Sequence, residues 1–526
     1  MRRSGRRDTG GRSRLPAALL PLALTYTAVA LNMTIATVAL PTISTTFHAS
    51  AATLTWIVSI TPMSSAALIL FAGALGDRFG RKRLLLLGLA VFLVSAVLSA
   101  FAASPSQLVA LRAMTGVGSA VAMPAALALV FDLAPESGRR TAVGVMSATQ
   151  AVGSLLGPLL GGAALVIFWW GAAFLAVVPF LVAALVLVAL QVPADAAVPK
   201  EERPSIDVLG SMLTAVVGVS WLFAAVSATS SGIAGRELVL TAVAIGLICA
   251  VALVFWERRC AHPLFVGSIV RRRSFWVPTL AILLVQFVLG GMMFLNTQYV
   301  QLALGLGALA AGAFLLPALL MWIVSSATAG ISARRLGVRN AAAGALVVAA
   351  AGMLLVATSD AHPVYPVLLL GLALVGIMGL APALMTTTAV SNYPHERRTV
   401  GSAINSAAQR FGLAFGVAAL GGIVSAVYAS GLAPALTGLP RTSADQADNS
   451  LGGALQVADG LSGDSAAALG DAARAAFVSG FRTAIIVGAL VLLAVALIVR
   501  LALPGTDRQS ERRKPDDHRL DNVEAG

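Results

Sequence analysis

The length of the uncharged segments is the strongest constraint on how this chain folds. Residues 141–194 and 274–333 contain no Asp, Glu, Lys or Arg, which leaves uncharged runs of 54 and 60 residues. About 20 apolar residues cross the hydrocarbon core of a bilayer as a helix, so each run provides two spans joined by a short turn. Hydrophobic residues make up 58% of the chain and the mean hydropathy is +0.88. These values predict an all-α polytopic membrane protein.

Polar breaks between the apolar runs predict fourteen spans. They lie near 17–40, 52–75, 84–103, 107–131, 141–165, 168–191, 208–229, 238–256, 276–299, 308–332, 340–358, 364–390, 399–428 and 477–502. With both termini in the cytoplasm, the cytoplasmic segments hold 30 of the 36 Lys and Arg residues, as the positive-inside rule requires. The external loops then hold only Arg236, Arg441 and Arg474. The net charge of +13 therefore reflects membrane topology, and we expect no nucleic-acid partner.

The chain repeats itself at an offset of about 258 residues. Gly73–Lys82 aligns with Gly330–Arg339, Pro124 aligns with Pro382, and Gln150 aligns with Gln409. Such a repeat predicts two parallel six-helix bundles related by an axis along the membrane normal, with spans 7 and 8 inserted between them.

The repeat and the charge pattern together divide the chain into segments. We expect a basic cytoplasmic tail (1–14), an N-terminal bundle (15–191), a linker with the inserted spans (192–259), a C-terminal bundle (260–503) and a disordered cytoplasmic tail (504–526). Residues 429–476, rich in Ala, Gly, Ser and Asp, are expected to form a mobile, weakly structured extracellular loop. That loop has room for a short helix near 465–476.

A charged turn, GALGDRFGRKR at residues 73–83, separates spans 2 and 3. Its residues alone indicate a short cytoplasmic loop with a positive-inside signal. The turn also resembles the GxLxDRxGRKR signature of the major facilitator superfamily. The resemblance implies a conformational gate in which Asp77 meets the positive N-terminus of span 13 and an arginine pairs with an acid at the end of span 4. The gate residues are Gly73, Asp77, Arg78, Gly80, Arg81 and Lys82 with Asp132, and Glu136 is a second possible partner.

Two further stretches resemble the fourteen-helix drug:proton antiporters of that superfamily. LNMTIATVALP at 31–41 is similar to LDxTIVNVALP, with Asn32 at the acidic position, and Ser59 stands where relatives with dicationic substrates often have Asp. GSLLGPLLGG at 153–162 matches the antiporter signature GxxxGPxxGG, although close helix packing also explains its glycine spacing. The motif residues are Gly153, Gly157, Pro158, Gly161 and Gly162. The resemblance implies a multi-pass multidrug exporter in a bacterial plasma membrane.

Ionisable residues inside the spans are almost absent. All 23 acidic residues fall in loops, tails or helix ends, whereas Arg112 lies within span 4 and Arg410 within span 13. An arginine at mid-bilayer costs about 3 kcal/mol on the insertion scale, so Arg112 must face a polar interior. Arg112 either bonds Asn32 and backbone carbonyls structurally or handles protons and substrate. Arg410 is either a snorkelling surface residue or a cavity residue. Without a membrane carboxylate, we expect a neutral or anionic amphipathic substrate.

Polar side chains on otherwise apolar helices are the candidates for the substrate cavity. They are Gln286, Asn296, Gln298, Tyr299 and Gln301 of span 9, and Asn405, Gln409 and Arg410 of span 13. Such groups also hold helices together by hydrogen bonds, so the structural alternative stays open.

The remaining residues bear on energy source and on rival functions. No GxxxxGK[ST] nucleotide motif occurs, so we expect no cofactor and transport driven by the proton-motive force. The five histidines and two cysteines form no catalytic or metal-ligand pattern, so we expect neither a metal site nor an enzyme. The expected partners are the lipid bilayer, a small-molecule substrate and protons, and we expect a monomer. A facilitator or importer on the same fold, and a membrane enzyme or channel, are the alternatives.

Overall fold

A computed structural model of the chain describes residues 14–133, 139–193, 207–227, 233–260, 273–360, 363–391, 398–437, 439–461 and 464–503. Fourteen helices within these ranges are long and apolar enough to cross a bilayer, so the predicted number of spans is confirmed. The two charged tails lie outside the described residues, and the side of the membrane on which the termini lie stays a prediction. The spans are α1 Arg14–Phe47, α2 Ala51–Phe79, α3 Arg81–Ala100, α4 Pro105–Leu133, α5 Arg139–Ile167, α6 Ala172–Gln191, α7 Val208–Ser227, α8 Ile233–Arg259, α9 Arg273–Gln298, α10 Ala308–Ala327, α11 Val338–Ala357, α12 Tyr365–Ala389, α13 Arg398–Leu432 and α16 Asp464–Ala502.

The spans form two bundles of six with the same internal arrangement. In the N-terminal half, α1 packs along α5, and α4 packs between α2 and α3. In the C-terminal half, α9 packs along α13, and α12 packs between α10 and α11. The repeat extends to backbone conformation, since Gly80 (φ 99°) and Gly337 (φ 76°) both adopt the positive φ that glycine tolerates, each just before a helix. These glycines allow the sharp breaks before α3 and α11.

The inserted pair covers one seam between the halves. Leu222 and Val226 of α7 are fully buried against Met63 of α2 and against Ala414 and Ala418 of α13. Helix α7 therefore contacts both halves at once. Helix α8 packs on the outside of α7 and leaves most of its apolar side chains exposed, as expected for a helix in contact with lipid.

The two ends of the bundle differ in charge and in covering. We call the end that holds Arg81, Lys82 and Arg335 the basic end. The opposite end is the capped end, because two short helices cover it. They are α14 Arg441–Asn449 and α15 Leu451–Asp459, which lie between α13 and α16.

The expectation of a weakly structured loop at 429–476 is wrong. The hydroxyl of Tyr428 donates to the Ala447 carbonyl (2.9 Å), and Gln456 Nε2 donates to the Thr45 carbonyl of α1 (2.8 Å). Ser450 accepts a hydrogen bond from the Gly453 amide (3.1 Å) and so caps the start of α15. The loop folds because its few apolar residues, such as Leu451, are buried together at helical spacing.

Two span boundaries also differ from the sequence-based estimate. Helix α1 continues past Pro41 to Phe47, because a proline inside a membrane helix removes one hydrogen bond without ending it. Helix α16 begins at Asp464 instead of near residue 477, and it absorbs the short helix expected near 465–476.

Candidate functional site

Arg112 of α4 is fully buried and has only neutral partners among the described residues. Its Nη1 donates to Asn32 Oδ1 of α1 (2.9 Å), and its Nε donates to the Ile57 carbonyl of α2 (3.4 Å). The guanidinium carbon lies 5.5 Å from the centre of the Phe174 ring, where a cation–π contact stabilises the charge. The structure therefore brings Arg112 and Asn32 together, as both interpretations of Arg112 require. Asn32 Nδ2 has no hydrogen-bond partner among the described residues, which leaves its two N–H donors free beside the pair.

Arg410 of α13 reaches across from the C-terminal half to the N-terminal half. Its Nη1 donates to the Ser65 hydroxyl of α2 (2.6 Å), and its Nη2 contacts the Met123 sulfur of α4 (2.6 Å). The residue is only 8% exposed, so the interpretation as a snorkelling surface arginine is wrong. Sequence reasoning missed Ser65 and Met123, although Ser65 belongs to a conspicuous polar run (TPMSS) in an apolar helix.

The predicted amides of α9 and α13 are buried and incompletely hydrogen-bonded. Neither side-chain atom of Asn296 has a partner within the described part of the chain, and the same holds for Gln286 Oε1. Asn405 Nδ2 donates to the Thr386 hydroxyl (3.1 Å), while its Oδ1 accepts nothing there. Gln409 is half-buried. Unsatisfied buried amides are costly in an apolar environment, so a polar ligand or water at these atoms would stabilise them.

Three predicted cavity residues lie elsewhere: Gln298 at the end of α9, and Tyr299 and Gln301 in the π-helical segment Tyr299–Ala303 that follows it. The Tyr299 ring stacks on Phe481 of α16 (centroids 4.5 Å apart), and its hydroxyl donates to the Asp360 carbonyl (2.6 Å), so Tyr299 packs inside the C-terminal half. Gln301 Nε2 donates to the Val38 carbonyl of α1 (3.0 Å) and joins the halves at the capped end. Gln298 lines a small cavity at the same end, beside Asp448. These residues follow Asn296 closely in sequence, but the helix turns them away from its interior face.

The glycine motif of α5 first serves close packing with α1. A Cβ atom at Gly153 would lie 2.9 Å from the Thr27 Cα, and one at Gly157 would lie 2.9 Å from the Leu31 carbonyl oxygen. A Cβ atom at Gly161 would meet the Ile35 side chain. Larger residues would separate the two helices.

The same motif also joins the two halves. A Cβ atom at Gly162 would lie 2.8 Å from the Leu309 Cα at the start of α10. The carbonyl of Pro158 closely approaches Gly312, where a Cβ atom would lie 2.6 Å from it. The α5–α10 contact therefore closes the capped end on the side opposite α7.

The charged turn is described in part. Arg81 Nη1 donates to the Ala128 carbonyl (3.5 Å). Lys82 Nζ donates to the carbonyls of Ala189 (2.9 Å) and Val192 (2.6 Å) at the C-terminus of α6, where a cation offsets the negative end of the helix dipole. The side chains of Asp77, Arg78 and Asp132, the surroundings of Gly73 and all of Glu136 lie outside the described residues, so the predicted latch stays a prediction.

The described residues offer no metal site, since no three His, Cys, Asp or Glu side chains converge within those ranges. Two six-helix halves that enclose buried polar groups, and that contact each other at the capped end and at Arg410, define the class: a membrane transporter of small solutes.

The chain belongs to the Major Facilitator Superfamily, whose family model matches residues 22–417. It is a transporter and not an enzyme. The multidrug efflux pump LfrA of Mycolicibacterium smegmatis is 33% identical over 489 residues, 92% of this chain and 95% of LfrA. The methyl viologen resistance protein SmvA of Salmonella typhimurium is 30% identical over 93% of this chain and 99% of its own length. The tetracenomycin C resistance and export protein of Streptomyces glaucescens is 30% identical over 98% of this chain and 96% of its own length.

Solved transporters share the fold at low sequence identity. A bacterial homologue of the human lysosomal transporter Spinster, in an inward-facing and unoccupied conformation, matches with a TM-score of 0.64 and 17% identity, covering 94% of this chain and 98% of that one. The inward-open xylose transporter XylE from E. coli matches with a TM-score of 0.56 and 15% identity, covering 94% and 97%. The expected fold is thereby confirmed.

Proposed function

We propose that this chain exports amphipathic drugs or antibiotics across the plasma membrane of a bacterium. The observation that carries the proposal is the near full-length similarity to the multidrug efflux pump LfrA, at 33% identity over 92% of this chain. The similarity to a tetracenomycin C export protein over 98% of the chain supports the same direction of transport. The clustering of basic residues supports a cytoplasmic position for the basic end.

Transport is proposed to proceed by alternating access. At the capped end, the Gln301–Val38 and Gln456–Thr45 hydrogen bonds and the contact of Gly162 with Leu309 join the two halves. Opening of the interior toward this end requires these contacts to break while each half stays intact. Rocking of two rigid bundles about the central interior satisfies that requirement.

The preferred substrates are proposed to be neutral or anionic. Arg112 and Arg410 are buried between the helices, and no acidic side chain among the described residues lies beside either guanidinium. Asn32 and Ser59 are also uncharged, although SmvA is named for resistance to methyl viologen, a permanent dication. A cation in this interior would gain no ionic partner from these residues and would be repelled by both arginines.

The energy source is proposed to be the proton-motive force. One charge that crosses about 100 mV releases about 2.3 kcal/mol, and a tenfold proton gradient adds about 1.4 kcal/mol. Together these support a substrate gradient of several hundredfold for each proton. Asp77, Asp132, a water near Arg112 and an acidic group on the substrate remain the alternatives for the proton-binding group. The working unit is proposed to be a monomer without a cofactor.

A drug-susceptibility panel in an efflux-deficient bacterial host tests this proposal. The panel includes tetracenomycin C and methyl viologen, and Arg112→Ala serves as the variant with a damaged interior. We expect the wild-type chain to protect the host against neutral or anionic amphipaths and Arg112→Ala to lose the protection. If the chain protects the host against none of the compounds, export is contradicted. If methyl viologen is the best substrate, the charge preference is contradicted.

A facilitator or importer is the second candidate, because the described interior lacks the carboxylate that usually exchanges a proton for a cation. Inside-out membrane vesicles distinguish the two. Energised vesicles accumulate an exported dye against its gradient and lose it when a protonophore is added, whereas a facilitator only equilibrates it.

A further inference from the structure

The guanidinium of Arg410 has more hydrogen-bond donors than the protein uses. An arginine side chain carries five N–H groups, and the described residues supply two acceptors, the Ser65 hydroxyl and the Met123 sulfur. A thioether is a weak acceptor, and neither partner carries a charge. Arg112, by contrast, has an amide oxygen, a backbone carbonyl and an aromatic ring around it. The under-used buried cation is therefore Arg410.

Burial of an unpaired charge is expensive, and such residues in membrane spans mark sites where a ligand or ion arrives. Arg410 is only 8% exposed, and its neighbours add hydroxyl groups that also bind anions. The Ser65 hydroxyl lies 3.2 Å from the Ser119 hydroxyl of α4. A guanidinium and two hydroxyls thus lie together where α2, α4 and α13 meet. The Ser119 hydroxyl donates to Ser65 or to the Gly116 carbonyl (3.0 Å) and would turn from them to a bound ligand. A carboxylate accepts hydrogen bonds from this combination of groups.

We propose that Arg410, Ser65 and Ser119 form a binding site for the anionic group of an amphipathic substrate, such as a carboxylate or a phenolate. This assignment rests on the proposed export function and specifies its substrate class. Arg410 belongs to the C-terminal half, while Ser65 and Ser119 belong to the N-terminal half. An anion bound here replaces the weak contact between Arg410 and Met123 and contacts both halves. Its binding therefore changes the interaction between the halves, which also changes when they move relative to each other.

A pair of matched fluorescent probes tests the site directly. The purified full chain in lipid nanodiscs is titrated with 1-pyrenebutyrate and with its methyl ester, which differ in the carboxylate charge, and empty nanodiscs give the background. Because a hydrogen bond to a charged group is worth roughly a factor of ten or more in affinity, the acid is expected to bind about tenfold tighter than the ester. Arg410→Gln abolishes this preference, and Arg410→Lys retains part of it.

Arg482→Gln is the matched control. Arg482 Nε donates to the Ser359 carbonyl (2.8 Å) at the capped end, away from the proposed site, so this variant keeps the preference for the acid. Equal affinity of the wild type for the two probes, or an unchanged preference in Arg410→Gln, overturns the assignment. Size-exclusion profiles and melting temperatures verify folding. If Arg410→Gln fails to fold, an unchanged preference for the acid in Arg410→Lys overturns the assignment instead.

Probe binding by the purified chain and drug export by the same chain in cells together separate this assignment from the function on which it rests. Equal affinity of the wild-type chain for the acid and the ester, together with intact drug export by the same chain in cells, rejects the anion site and leaves export standing. A clear acid preference without export of any drug from cells rejects the export function and leaves the site standing.

Discussion

The capped end should open when Gly162 acquires a side chain. Gly162 lies on α5 of the N-terminal half, and an ideal Cβ atom there would be 2.8 Å from the Leu309 Cα and 2.9 Å from the Ala308 carbonyl oxygen of the C-terminal half. Both distances are shorter than an ordinary van der Waals contact between these atoms. Gly162→Ala therefore forces α5 and α10 apart only in the state in which they touch.

The size of the effect follows from the difference between the two states. Overpacking of a tight contact costs about 1–3 kcal/mol. The helix-propensity gain of alanine, up to about 1 kcal/mol, applies to the closed and the open state alike and cancels. A net bias of about 1–3 kcal/mol changes the ratio of open to closed molecules by about 5- to 150-fold.

Distance measurement between two spin labels detects this shift. After replacement of Cys249 and Cys260 by serine, labels are attached at Ala103→Cys and Val364→Cys, two exposed positions on opposite halves at the capped end. Gly162→Ala is expected to increase the long-distance population. Gly344→Ala is the control, because a Cβ atom there meets no neighbour within 4 Å. A wild-type distance distribution in Gly162→Ala would refute closure through the α5–α10 contact.

Three other substitutions test separate parts of the account. Asp77→Asn should abolish transport in vesicles while membrane insertion stays normal, and wild-type transport rates would exclude a gating role. Lys82→Ala should lower stability by about 1 kcal/mol through loss of the bonds to the end of α6, and an unchanged melting temperature would contradict this. Asp448 is exposed, but partial removal of water from its carboxyl, with a smaller contribution from Asp445, raises its pKa above the ordinary value. Because the pKa of Asp448 is higher in the folded state, the cap formed by α14 and α15 is most stable below the unfolded pKa and loses stability as pH rises through the folded pKa. Asp448→Asn should thus protect the cap from protease at pH 7 and flatten its pH dependence, and equal cleavage rates would contradict this.

The architecture could be predicted because hydrocarbon length and basic residues are read directly from the sequence. The run at 141–194 contains no charged residue over 54 positions, a length that membrane spans account for and a water-soluble core does not. The Arg112–Asn32 pair was also predictable, since a buried guanidinium needs acceptors and Asn32 is the polar residue at the matching depth of α1.

The surroundings of Arg410 and Tyr299 could not be predicted in the same way. Helices α9 and α13 are apolar on most sides, so their sequences do not reveal which face meets lipid, a neighbouring helix or the interior. Tyr299 looked like a cavity residue from its polar neighbours, yet it stacks on Phe481 of a helix far along the chain. Only tertiary packing distinguishes these faces.

The cap was missed for a different reason. Its composition of Ala, Gly, Ser and Asp is typical of mobile segments, and its apolar residues are few. The hydrogen bonds from Gln456 to α1 and from Tyr428 to α14 connect residues that are distant in sequence. The secondary-structure propensities of the loop residues carry no information about such distant partners.

Proton movement coupled to drug movement tests the central claim most directly. The purified chain is reconstituted in liposomes with an imposed pH gradient, and the compound against which it best protects the host is added while internal pH is recorded. Addition of the drug is expected to accelerate proton flux, and the drug should accumulate against its own gradient. Downhill movement of the drug without any change in proton flux would contradict proton-driven export and indicate a facilitator.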